Sequence, residues 1–267
     1  MSLRIQNNVE AFNAHRNLTS VSAKVTESME RLSSGYRINR AADDAAGLAI
    51  SEKMRAQIRG LTQAQRNAQD GVSLVQTAEG ALQTVHGMLQ RVRELAVQYK
   101  NGTLSAANQS AIQSEVYQLA SEISRIGTTT MFNGITLLNA GASTVSFQVG
   151  ADDGQQIGIA MITLSTAVGV NYYALGAATD ISEIDAAIDA VSAQRAALGA
   201  IQNRLDYSLD NVGIYQENLV AAESRIRDVD MAAETVQLTK NQILAQAGTA
   251  MLSQANQSGQ GVLSLLR

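Results

Sequence analysis

The sequence predicts a mainly α-helical protein: an elongated rod of long antiparallel coiled-coil helices with a small β-hairpin and both termini paired. Three observations carry this: 267 residues without a proline, heptad repeats sustained in both halves, and a stretch of period two between them. A chain of this length ordinarily holds about thirteen prolines. Proline removes a helical hydrogen bond and clashes with the preceding turn, so its absence suits helices that run on unbroken.

The heptads fix which helices are long. Met54, Leu61, Ala68, Val75, Leu82, Leu89 and Ala96 recur at steps of seven, with Ala64, Gly71, Ala78, Val85 and Val92 beside them. In the second half Ile184, Val191, Leu198, Leu205, Val212, Leu219 and Ile226 keep the same step, while a neighbouring seam of Ile201, Ser208, Tyr215 and Ala222 is mixed in polarity. Repeats of this length call for coiled-coil packing, and small residues at the seams imply close approach. A helix over residues 46–100 would be roughly 80 Å long. A globule of this many residues is only about 50 Å across. Hence the rod.

The remaining elements follow in order. Leu18, Val21, Val25, Met29 and Leu32 make a narrow stripe near the start. Asp43-Asp44 reads as a helix cap and a surface charge, since adjacent helical residues point about 100° apart. Asn101-Gly102 signals a turn, and Ile112, Val116, Leu119, Ile123 and Ile126 mark a shorter helix after it. GTTTMFNGITLLNAGAS then breaks helix. Val145, Phe147 and Val149 alternate, Ala151 to Gly154 turns, and Ile157, Ile159 and Met161 alternate again, which predicts the hairpin within 144–162. Residues 163–180 read as loop, with Asp180 or Ser182 capping the return helix. The last segment offers Ile243, Leu244, Ala247, Met251 and Leu252, and closes on the apolar run Val262, Leu263, Leu265 and Leu266. Neither terminal stripe is wide enough to stand alone, and those leucines would sit in water on a monomer, so both ends need a partner.

Charge and composition exclude several classes. Residues 1–66 hold ten Lys/Arg and six Asp/Glu, whereas 152–234 hold four and thirteen. This asymmetry suits two antiparallel arms in register, or two unrelated solvated faces. A net charge of −4 argues against nucleic acid as a partner. No apolar run reaches membrane-spanning length, and the amino terminus lacks the apolar core of a secretory signal. With no cysteine, and with His15 and His86 far apart, thiolate chemistry and local metal motifs are excluded. His86 reads as a flank of the packed face. Gly71, Gly80 and Gly87 lie on predicted helix and read as close-packing positions, not a phosphate loop. No catalytic, cofactor or metal site is expected.

Two segments carry a family likeness. RLSSGYRINRAADDAAGLAISEKMRAQIRGL, residues 31–61, resembles the amino-terminal signature of bacterial flagellin, and ESRIRDVDMAAETVQLTKNQILAQAGTAMLSQANQSGQGVLSLLR, residues 223–267, resembles its carboxy-terminal signature. LQRVRELAVQ (89–98), FNGITLL (132–138) and FQVGADDGQQI (147–157) resemble flagellin segments in the expected order. The chain resembles a minimal flagellin, without the variable outer domains that larger members insert near 163–180. The hook–filament junction protein shares the terminal design but resembles the central motifs less.

The resemblance implies a structural subunit of the extracellular filament. Residues 1–44 with 228–267 would form its inner coiled coil, and 45–227 an outer core. It further implies unfolded export by the flagellar type III apparatus with an export chaperone, without signal cleavage. Assembly would follow beneath a cap protein, on a hook-associated junction protein. It also implies recognition by the host's flagellin-sensing Toll-like receptor through Arg91 and Leu95 on the long helix and Glu115 on the next. Arg91 and Leu95 are four apart, which predicts one shared patch.

Overall fold

The computed structural model describes residues 8–139, 143–161, 163–169, 173, 175–176 and 180–265, with backbone alone at 166–167 and 258–265. Helices α1 (Val9–Ser34), α2 (Ala45–Tyr99) and α3 (Ala106–Thr129) come first. Strands β1 (Met131–Phe132), β2 (Ile135–Thr136), β3 (Thr144–Gln148) and β4 (Gln156–Ala160) follow, and then α4 (Leu164–Val168), α5 (Asp180–Arg227) and α6 (Met231–Leu265). Two compact units result, Gln57–Asn218 and Met1–Ala56 with Leu219–Arg267, so the division falls inside α2 and α5.

In Gln57–Asn218 the heptads do what their spacing predicts. On α2, Leu61, Ala64, Ala68, Val75, Ala78, Leu82, Val85, Leu89, Val92 and Ala96 are all buried, as are Ile184, Val191, Leu198, Leu205 and Val212 on α5. The helices run antiparallel: Arg93 pairs with Asp185, Arg195 lies 3.5 Å from Glu79, and the Gln216 amide donates to Thr62 Oγ1 at 3.1 Å. Ile112, Val116, Ala120 and Ile123 of α3 join the same core, together with Leu137, Leu138, Ile157 and Ile159.

The hairpin β3–β4 pairs Val145 with Ile159 and Phe147 with Ile157. It lies on α2, where the Asn67 amide donates to the Gln148 carbonyl at 3.1 Å. Gly71 permits this approach, because a Cβ there would stand 3.3 Å from both Leu205 Cδ1 and Phe147 Cγ. Gly80 and Gly87, expected to serve close packing too, have open space around them; both lie on the outer side of α2.

Two small elements escape the sequence reading. Asn133 (φ 48°) and Gly134 (φ 79°) turn the two-residue strands β1 and β2 into a tight hairpin, the mirror-image turn that Asn-Gly favours. Helix α4 occupies five residues of the expected loop, with Leu164 buried against Gly127. Asp180, one of the two expected caps, is the first residue of α5 itself, and its carboxylate accepts the Gly176 N–H at 2.7 Å.

In the other unit α1 and α6 pair antiparallel. The Asn8 amide donates to the Ala255 carbonyl at 2.8 Å, a Cβ on Gly248 would contact Leu18, and Arg31 stands 3.9 Å from Glu234. Asn8 also caps α1, accepting the Ala11 N–H, and Gly35 ends the helix in the left-handed conformation at φ 76°. The seam of α1 is Ala11, Ala14, Leu18, Val21, Val25, Ser28 and Leu32; that of α6 is Leu238, Asn241, Ala245, Gly248, Leu252 and Ala255. This corrects the predicted stripes at Met29, Ile243, Leu244, Ala247 and Met251, which are exposed. Apolar residues occupy two faces of α6, and the face with smaller side chains packs on α1.

The turns between helices are laced together. Arg37 N–H donates to the Arg227 carbonyl at 2.7 Å, and Val229 N–H to the Gly35 carbonyl at 3.0 Å, on either side of a Tyr36–Asp228 bridge. Asp44 caps α2 through the Gly47 N–H, and Asp43 accepts the N–H groups of Arg40 and then Asn39, which lower its pKa. The Arg227 guanidinium lies 4.9 Å from the Tyr36 ring centroid and bonds Glu52 at 2.6 Å.

That bond holds the Glu52 carboxyl below the usual glutamate range. Its stabilisation is therefore complete above the ordinary glutamate pKa and lost as pH falls through the lowered value. Melting temperature recorded from neutral to pH 3 should drop less steeply for Glu52→Gln than for the parent chain. An unchanged acid limb would exclude the pair as its source.

Candidate functional site

Three surfaces were expected to carry function: an Arg91–Leu95–Glu115 patch, the terminal stripes, and the apolar tail. Arg91 and Glu115 do come together. Arg91 Nε and a terminal guanidinium nitrogen both reach Glu115 Oε1, at 3.0 and 2.9 Å, and the other terminal nitrogen reaches Glu94 at 3.1 Å. The bond to Glu115, then that to Glu94, raises the guanidinium's proton affinity further. Both partners are about half exposed, so α2 and α3 are joined by a staple at the surface.

Leu95 departs from the expected patch, being only 2% exposed. Four residues along a helix share a face only within about 40°. Here that difference separates the outer edge of α2 from its packed side, where Leu95 joins the core that contains Val116.

The terminal pair leaves apolar side chains uncovered. On α6, Val236 (71%), Ile243 (60%) and Met251 (63%) stand at steps of seven and eight on the side away from α1, with Leu244 and Thr239 forming a shallow groove beside them. Phe12, 70% exposed on α1, is similarly uncovered. Hydrophobicity along the sequence picks these residues out; only the pairing of α1 with α6 reveals that they face outward. The tail residues Val262, Leu263 and Leu265 lie where backbone alone is described, and Leu266 lies outside the described residues.

Nothing in these surfaces converges on a reacting atom. A cavity of about 350 Å³ between α3 and α4 is lined by apolar side chains, hydroxyls and Asn139, with no carboxylate, imidazole or amine. Among the described residues no three His, Cys, Asp or Glu side chains could hold a metal, and no helix is long and apolar enough to cross a membrane.

Long heptad helices, an antiparallel terminal pair and outward apolar stripes at that pair define a helical subunit made for assembly. Residues 5–144 match the bacterial flagellin N-terminal helical region and residues 181–266 the flagellin C-terminal helical region. The flagellin of Halalkalibacterium halodurans is 52% identical over 98% of this chain and 99% of its own. The flagellar filament 33 kDa core protein of Treponema phagedenis is 49% identical over 98% and 99%. In the crystal structure of Bacillus cereus flagellin, the likeness covers 55% of this chain and 88% of that one, at 32% identity and a TM-score of 0.51.

The chain belongs to the bacterial flagellin family, in a compact, core-only form. It is a structural subunit of the flagellar filament, outside the cell, and not an enzyme. The structure of a putative flagellar hook-associated protein from Vibrio parahaemolyticus shares the fold alone, at 13% identity and a TM-score of 0.60 over 70% of this chain and 100% of that one.

Proposed function

We propose that this chain builds its filament by burying the outward stripes of the α1–α6 pair, and the tail at Val262, Leu263, Leu265 and Leu266, between copies of itself. The observation that carries this is the row Val236, Ile243 and Met251, uncovered on a helix whose opposite face is already paired. In this reading residues 1–44 and 228–267 make the inner coiled coil and 45–227 the outer core. The subunit reaches the tip unfolded, through the type III apparatus and its chaperone and without a cleaved signal. It adds beneath the cap protein onto the hook-associated junction protein. Purified chain incubated with filament fragments should extend them, as seen by electron microscopy. Seeds that do not lengthen would overturn the reading.

A second role rests on the staple between α2 and α3. Arg91 and Glu115 offer the flagellin-sensing Toll-like receptor a half-exposed charged pair, and Leu95 supports it from beneath. The same surface serves contacts between protofilaments, so released monomer signals and intact filament barely does. Arg91→Asp places a carboxylate opposite Glu115 and Glu94. Receptor activation by that variant's monomer should fall at least about tenfold, the effect of roughly 1.4 kcal/mol, and its filaments should swim poorly. Signalling equal to the parent would remove the receptor role and leave the filament role standing.

A further inference from the structure

A different outward stripe lies in the unit Gln57–Asn218 and is used by nothing described so far. On α5, Tyr207, Asp210, Ile214 and Glu217 follow at steps of three and four, the spacing that aligns side chains along one helix face. All four are exposed, Tyr207 at 76% and Ile214 at 62%, and Tyr215 borders them. Among the described residues neither Asp210 nor Glu217 makes an ion pair. Two large apolar side chains thus alternate with two unpaired carboxylates.

The same unit carries a stripe of opposite sign. Arg59, Gln63 and Arg66 lie exposed along α2, and the two arginines are one heptad apart, as are Asp210 and Glu217. Arg66 bonds the Gln63 side-chain oxygen through Nε at 3.1 Å and, among the described residues, reaches no carboxylate. Among the described residues no ion pair joins Asp210 or Glu217 to either arginine.

We propose that the Tyr207–Glu217 stripe of one copy docks on the Arg59–Arg66 stripe of a second copy, which deepens the filament reading and rests on it. Charge complementarity at matched heptad spacing identifies the occupant. The carboxylates meet guanidinium groups at the flanks, as charges beside a coiled-coil seam do, while Tyr207 and Ile214 bury against the stems of the long side chains. Two acidic stripes facing each other would repel, so the contact selects its opposite. Because the two patches differ, each copy keeps one free after docking, and the contact propagates as an open series instead of closing into a dimer.

The test is charge reversal on each side separately. Asp210→Lys with Glu217→Lys, and Arg59→Glu with Arg66→Glu, should each raise the concentration needed for seeded growth by at least about tenfold. An equimolar mixture of the two variants should restore growth, since each then presents the other's complement. Either variant growing like the parent overturns the proposal, as does a mixture that stays monomeric. Failure of the parent chain to extend seeds would strike the filament reading itself, so the two failures are distinguishable.

Should a reversal disturb folding, the cysteine-free chain offers a second route. Filaments co-assembled from Glu217→Cys chains and chains carrying Arg59→Cys or Arg66→Cys should give a mixed disulfide dimer on oxidation. Absence of that dimer with both arginine positions overturns the docking.

Discussion

A chain carrying Leu18→Cys and Gly248→Cys should oxidise to one intramolecular disulfide and hold α1 to α6 in the register observed. A Cβ on Gly248 stands 3.7 Å from the Leu18 Cβ, close to the value of about 3.8 Å found across natural disulfides. The parent has no cysteine, so no competing bridge forms. The cross-link closes nearly the whole chain into a loop, for which chain-entropy arguments give about 5 kcal/mol of stabilisation. The terminal pair is where that matters most. Its seams are narrow and only half buried, so they offset little of the roughly 1–2 kcal/mol per residue that ordering the backbone costs.

Limited proteolysis should trim both ends of the parent monomer and spare them in the oxidised variant. Leu18→Cys with Ile243→Cys is the control, because Ile243 faces away from α1. Equal cross-linking yields from the two pairs would show that the helices do not keep this register.

How far the fold was legible in the sequence depended on how consistently each face was apolar. From Leu61 to Ala96 the seam positions of α2 are aliphatic or glycine and all are buried. Whereas Ile201 on the mixed second seam of α5 is only partly covered, Ile184, Val191, Leu198, Leu205 and Val212 on its first seam are buried too. Period and burial agree there. The hairpin was readable for the same reason, since Val145, Phe147, Ile157 and Ile159 alternate and pair.

Helix α6 was different. Its packed face includes Asn241, Ala245 and Gly248, while Ile243 and Met251 lie on the other, so the larger hydrophobic signal belongs to a surface α1 does not cover. A subunit that pairs with itself and also offers a face to neighbours needs two apolar stripes, and sequence alone does not say which is which. Leu95 failed more simply. Its separation from Arg91 was read as one face, yet it lies beyond the edge where α2 turns inward. The Arg91–Glu115 contact itself crosses two helices and was reachable only through the likeness of its motifs.

Replacing Val236, Ile243 and Met251 together with Ser should abolish filament growth while leaving the α1–α6 pair intact. The three side chains are between 60% and 71% exposed, so the substitutions remove almost no burial within one chain. Buried between copies, each would contribute about 1.5–3 kcal/mol. Even at the lower figure, the three together raise the concentration for growth by roughly a thousandfold. Monomer helicity and melting should stay close to the parent's, and the Leu18–Gly248 disulfide should still form in this background. That last readout separates a lost assembly surface from a lost fold. If the triple variant grows on parent seeds at the parent's concentration, the outward stripe of α6 is solvent-facing in the filament as well. The burial that drives polymerisation must then come from the tail or from the long helices.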